Sequence, residues 1–80
     1  MDAVLRCKMS VVSVKHNIDS KGLVESEEVE LCAVYTGSEE NKQFSKYTPS
    51  ASFKINISNQ LAFNKLSRGH EFYVDFIPAV

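Results

Sequence analysis

The sequence predicts a mainly β fold: a small four-stranded antiparallel sandwich or open barrel carrying one or two short helical insertions. Three observations predict it. Four stretches, 3–15, 23–35, 51–57 and 71–77, alternate apolar with polar residues, and a period of two places one row of side chains on each face of a strand. The first two stretches are joined by turn chemistry too short for a crossover, so they fold back as an antiparallel hairpin. Finally, 80 residues make one domain, 1–80, with room for one core, so the sheet must curl or be capped to bury a face. The hairpin and a pair formed by the third and last strands are expected to make its two halves.

In the first strand Ala3, Leu5, Cys7, Met9 and Val11 share a face, against Arg6, Lys8 and Ser10. Residues 17–22 supply the turn, with Asp19, Ser20 and a glycine able to take positive φ. In the second strand Val29, Leu31, Ala33 and Tyr35 oppose Glu28, Glu30, Cys32 and Val34. Pairing Val11 with Val29, Met9 with Leu31, Cys7 with Ala33 and Leu5 with Tyr35 keeps apolar beside apolar. A one-residue slip would bury Glu30 against Met9, which is costly. Glu25, Glu27, Glu28 and Glu30 therefore read as a solvated face, partly offset by lysines on neighbouring strands. Cys7 points into the core and Cys32 the other way, so both are expected as free thiols. Val12, Val14, Cys32 and Val34 leave an apolar patch on the nominal outer face, to be covered by the rest of the domain or by a partner.

Residues 37–50 then cross from one part of the sheet to another. Ser38 suits an N-cap, and Glu39 and Glu40 occupy a first turn that favours negative charge. Phe44 and Tyr47, three apart, fall on one side of a short helix. Pro49 stops it, because the residue before a proline is pushed out of the α region. Phe44 and Pro49 are the expected structural anchors, with Phe44 buried. Lys42, Lys46, Tyr47 and Thr48 are the candidate binding residues, since charge, an aromatic ring and hydroxyls gather there beyond what a solvated connector needs. In the third strand Ala51, Phe53, Ile55 and Ile57 face inward. Ser58 is expected to cap a second short helix over 59–66, ended near Gly69. In the last strand Phe72, Val74 and Phe76 oppose Glu71, Tyr73 and Asp75, and Pro78 closes it.

The search for chemistry is mostly negative. A net charge of −1 lacks the basic excess of a dedicated nucleic-acid binder. No apolar run approaches the roughly 20 residues of a membrane span, and the N-terminus lacks the apolar core of a signal peptide. His16 and His70 read as surface residues without metal-ligand spacing, and Cys7 and Cys32 form no C-x-x-C pair. There is no Gly-rich phosphate loop and no G-x-S-x-G elbow. The expectation is a protein that is not an enzyme and uses neither cofactor nor metal.

Two blocks carry a resemblance. Glu40-Asn41-Lys42 with Phe44, continuing through Lys46-Tyr47-Thr48-Pro49-Ser50, and the closing Tyr73-Val74-Asp75-Phe76-Ile77-Pro78-Ala79, resemble a family of very small tailed-bacteriophage proteins. Members carry an E-N-x-x-F-x-x-x-T-P-S block and end near Y-V-D-F-x-P-A; Ile77 stands where threonine is more usual. The resemblance implies phage origin and a sheet-rich fold, and it names no catalytic residue. Two readings follow. One is a structural or assembly protein, a minor virion component that decorates or stabilises a capsid and contacts itself or other phage proteins, as a homo-oligomer or part of an assembly. The other is a soluble phage module that captures a host protein or a small anionic ligand. Either places the chain in the virion or the host cytoplasm, without a secretion signal.

Overall fold

The computed structural model describes residues 2–79. Its elements are β1 (Leu5–Ile18), β2 (Val24–Ala33), α1 (Glu39–Tyr47), β3 (Ser52–Ile57), a single 3₁₀ turn (Gln60–Ala62) and β4 (Glu71–Phe76). The mainly β, four-stranded antiparallel class holds, with one helix and one short turn as insertions. The strands form one open sheet in the order β3-β2-β1-β4. The third and last strands therefore do not pair into a second half; they occupy opposite edges.

The reason lies in the two connections. A lone open sheet has to cover its apolar face, and residues 58–70 do so while carrying the chain from β3 to the far edge. Cys7, Met9, Val11, Val29 and Leu31 are buried at the centre of that face, and Leu66 of the crossing segment packs on them with Ile55, Ile57, Phe72 and Val74. The cap differs from the expected helix over 59–66. Asn59, rather than Ser58, caps a single turn through its Oδ1, which accepts the Leu61 N–H at 3.0 Å. Leu61 points into solvent. Gly69 is in the left-handed region, φ 92°, but serves the turn into β4.

Hairpin register is the second correction. Met9 stands opposite Ala33 and Val11 opposite Leu31, two residues from the expected pairing. A two-residue shift leaves every side chain on its face, so the hydrophobic argument could not detect it. The turn is tighter than expected: Asp19 Oδ1 accepts the N–H groups of Lys21 (2.8 Å) and Leu23 (3.0 Å), and Gly22 has φ 82°. An irregularity at Val12 then shifts the register between Val11 and Ser13. One extra residue on β1 turns Val14 inward to pair with Val29 and join the core, so Val14 leaves the supposed outer patch. Val34 is also buried, while Tyr35 lies beyond β2 and is exposed. The thiols are free, with Cys7 in the core and Cys32 half-buried.

Glu27 is the third correction. It shares a face with Val29 and Leu31 and is fully buried, not solvated. His16, opposite it on β1, brings Nε2 to 2.8 Å of Oε2, and the backbone N–H of Asn64 donates to the same oxygen at 3.0 Å. Asn64 adopts φ 63°, which non-glycine residues rarely take. His16 is thus an ion-pair or hydrogen-bond partner, not an isolated surface histidine. Glu28 and Glu30 behave as expected, facing Lys15 at 3.8 Å and Lys54 at 3.9 Å.

Candidate contact site around helix α1

Helix α1 forms where local chemistry dictates. Ser38 is extended and its Oγ accepts the Asn41 N–H at 3.0 Å; Glu39 and Glu40 fill the first turn. Thr48, forced off the helical region ahead of Pro49, ends it while its N–H donates to Phe44 O at 2.7 Å. The helix lies on the polar face of the sheet, over Arg6 and Lys8 of β1 and Tyr73 of β4.

A charged network fastens it there. Tyr73 donates its hydroxyl to Glu40 Oε1 at 2.5 Å, and Lys8 Nζ lies 3.0 Å from Glu40 Oε2 and 3.5 Å from Glu71. The hydrogen bond to Glu40 raises the Tyr73 pKa above the usual phenol value, and the same bond, with help from Lys8, lowers that of Glu40. Lys8 is raised in turn by its bond to Glu40. Arg6 clasps Asp75 through two nitrogens, at 2.6 and 2.9 Å, which raises the arginine and lowers the aspartate. Arg6 also stands 5.1 Å over the Tyr73 ring. Phe44 meets that ring from the helix side, centroids 6.0 Å apart.

The anchor is therefore different from the one the sequence suggested. Phe44 is half-buried, and the buried residue of α1 is Asn41, 1% exposed. Its Nδ2 donates to Thr36 O and to Glu71 Oε2, both at 2.9 Å. A small amide can satisfy two acceptors in a tight space where a ring cannot. Asn41 and Glu40 belong to the first sequence block and Tyr73 to the closing one, and in the folded chain the two blocks touch. That contact was the missed signal.

The candidate binding residues separate into two groups. Tyr47 and Thr48 line a groove of about 270 Å³ with Leu5, Arg6, Gln43 and Phe44. Lys42 and Lys46 are not part of its wall. Lys42 pairs with Glu39 at 3.2 Å, and Lys46 sits 5.5 Å over the Tyr47 ring. Pro49 is exposed and acts only as the stop. Apolar surface lies at the same end of the sheet: Val4, Leu5, Phe76 and Ile77 are exposed there, as is Tyr47 on the helix, by 46–76%, and Leu5, which lines the groove, is the register partner of Phe76. No described helix is long and apolar enough to cross a membrane. No protein-family model, curated protein or solved structure matches the chain.

Proposed function

We propose that this is a non-enzymatic, phage-encoded structural or assembly protein, a minor virion component that acts through protein–protein contacts. One observation carries the reading: exposed aliphatic and aromatic side chains gather at the end of the sheet that carries the α1 groove, and clustered exposed apolar surface marks contact sites. The two phage-like blocks support it, since their residues build the helix-to-sheet junction beside that surface. The alternative is a soluble module that captures a host protein or a small anionic ligand. It draws on Lys46, which has no carboxylate partner among the described residues.

Purified phage particles test the reading. The chain should co-purify with them at a fixed ratio to a capsid protein, and Leu5→Asp with Tyr47→Asp should abolish incorporation while leaving the melting curve near that of the parent. Absence from particles, together with recovery of a host protein on the parent chain but not on the double variant, would favour capture instead.

A further inference from the structure

Two sheet edges remain open, and they are not equivalent. We infer that the β3 edge pairs with β3 of a second copy, antiparallel about a two-fold axis at Ile55, to give one continuous eight-stranded sheet. The inference rests on the self-assembly part of the reading above and names its surface.

Backbone direction comes first. Ala51 O accepts the Ala33 N–H, and side-by-side pairing runs from Cys32 with Ser52 to Glu27 with Ile57. Strand alternation then turns the backbone groups of Ser52, Lys54 and Asn56 away from β2, toward the open side. This edge has six residues without proline or bulge, the kind of edge that pairs with another chain.

Side chains select the register. With Ile55 on the axis, Ile55 meets Ile55 of the second copy and each Phe53 meets an Ile57, so the core faces of both copies join. Phe53 is 42% exposed in the single chain and gains a neighbour. On the other face each Lys54 stands opposite Asn56, and these two residues exchange main-chain hydrogen bonds. Sliding two residues one way sets Lys54 against Lys54; sliding the other way leaves Phe53 opposite Asn59. Both lose. Self-pairing of β4 about Tyr73 would instead set Glu71 opposite Asp75 of the second copy, with Lys8 and Arg6, the cations that pair with these carboxylates, one strand back on β1. Charge therefore favours β3.

Position 56 gives a test in which the two levels of structure respond in opposite directions. Within a chain its neighbour is Glu28; across the seam it is Lys54. Asn56→Lys should favour the single chain and weaken the dimer about tenfold through two like-charge pairs, and Asn56→Glu should do the reverse. Sedimentation equilibrium of the parent and both variants reads association, and thermal melting at low concentration reads the single chain. Association that weakens with lysine and strengthens with glutamate supports the inference. Association unchanged by both substitutions, or weakened by both, overturns this seam while leaving self-assembly through another surface standing. A parent chain that stays monomeric at high concentration overturns the seam outright, and particle incorporation then judges the assembly reading separately.

Discussion

Three glutamates in one strand, alike in sequence, should differ sharply when truncated. In Glu27→Ala, the Asn64 N–H loses its acceptor inside the fold, which costs about 1–3 kcal/mol. One buried methylene goes as well, at about 0.8 kcal/mol. Against this, Glu27 Oε1 has no hydrogen-bond partner among the described residues, so its removal returns part of a desolvation cost of about 1 kcal/mol or more. The His16 contact adds little, because its side chain is 40% exposed and can turn to water. The balance is a loss of about 1–3 kcal/mol, a large share of the roughly 4–12 kcal/mol available to a domain of this size. Melting should fall by about 5–20 °C. Glu28→Ala and Glu30→Ala break pairs at 3.8 and 3.9 Å on a wet face and should each cost under about 1 kcal/mol. Circular dichroism melts of the three variants, with amide exchange at Asn64, make the comparison. Asn64→Gly, which keeps the N–H and removes the strain of φ 63°, should melt at or slightly above the parent. If Glu27→Ala melts within 2 °C of Glu28→Ala, on the order of the scatter for surface changes, the idea that Glu27 ties down the crossing segment fails.

Phe44→Ala should cost about 2 kcal/mol, less than the 3–5 kcal/mol of a fully buried ring, because Phe44 is half-buried and its main partner is the Tyr73 ring. Asn41→Ala should cost about 1–3 kcal/mol through the loss of two hydrogen bonds, one of them to a carboxylate, although the exposed Thr36 and Glu71 can turn to water; urea midpoints that rank Phe44 well above Asn41 would restore Phe44 as the anchor. Reversing Lys42 and Lys46 to glutamate should hold stability within about 1 kcal/mol, read by the same melts; a larger drop would give the lysines a structural role. Helix attachment should be insensitive to pH near neutrality and weaken at both extremes. Glu40 is lowered, so its contribution exists above its unfolded value and is lost as pH falls through the folded one; Tyr73 and Lys8 are raised, so theirs exist below the unfolded values and are lost as pH rises through the folded ones. Absorbance titration at alkaline pH should show a late-ionising tyrosine that Tyr73→Phe removes and that Glu40→Ala makes ionise earlier; an unchanged curve in Glu40→Ala would break the link to Glu40.

Period-two alternation made the strands legible, because it depends on one property of one residue at a time. The helix was legible for a related reason: Ser38, Glu39, Glu40 and Pro49 act on backbone groups within a few residues of themselves. Strand order was not, since it depends on where the connections run. Nothing local in residues 58–70 says that Leu66 will fold over Val29 rather than lead to an adjacent strand. Register was half legible. Alternation fixed the faces, but a two-residue shift costs nothing in burial, and the tight turn held by Asp19 set the pairing. The extra residue at Val12 is invisible to alternation altogether, as it interrupts the pattern and looks like noise.

The site was misread where polarity and burial part company. Residue type made Phe44 the anchor and Glu27 a solvent-facing charge, and the fold reverses both. Parity alone puts Glu27 inward beside Val29 and Leu31; what overruled parity was the cost of burying a carboxyl group. That cost falls when partners arrive from other elements, here the His16 ring on β1 and the Asn64 N–H on the crossing segment. Asn41 follows the same logic, with acceptors thirty residues apart in Glu71 and five apart in Thr36. A polar residue whose partners are distant cannot announce its burial from its own neighbourhood. Its trace in the sequence is indirect: Asn41 and Tyr73 each sit in a compact block of mixed polar and aromatic residues, and the contact between those blocks gives both their reason to be there.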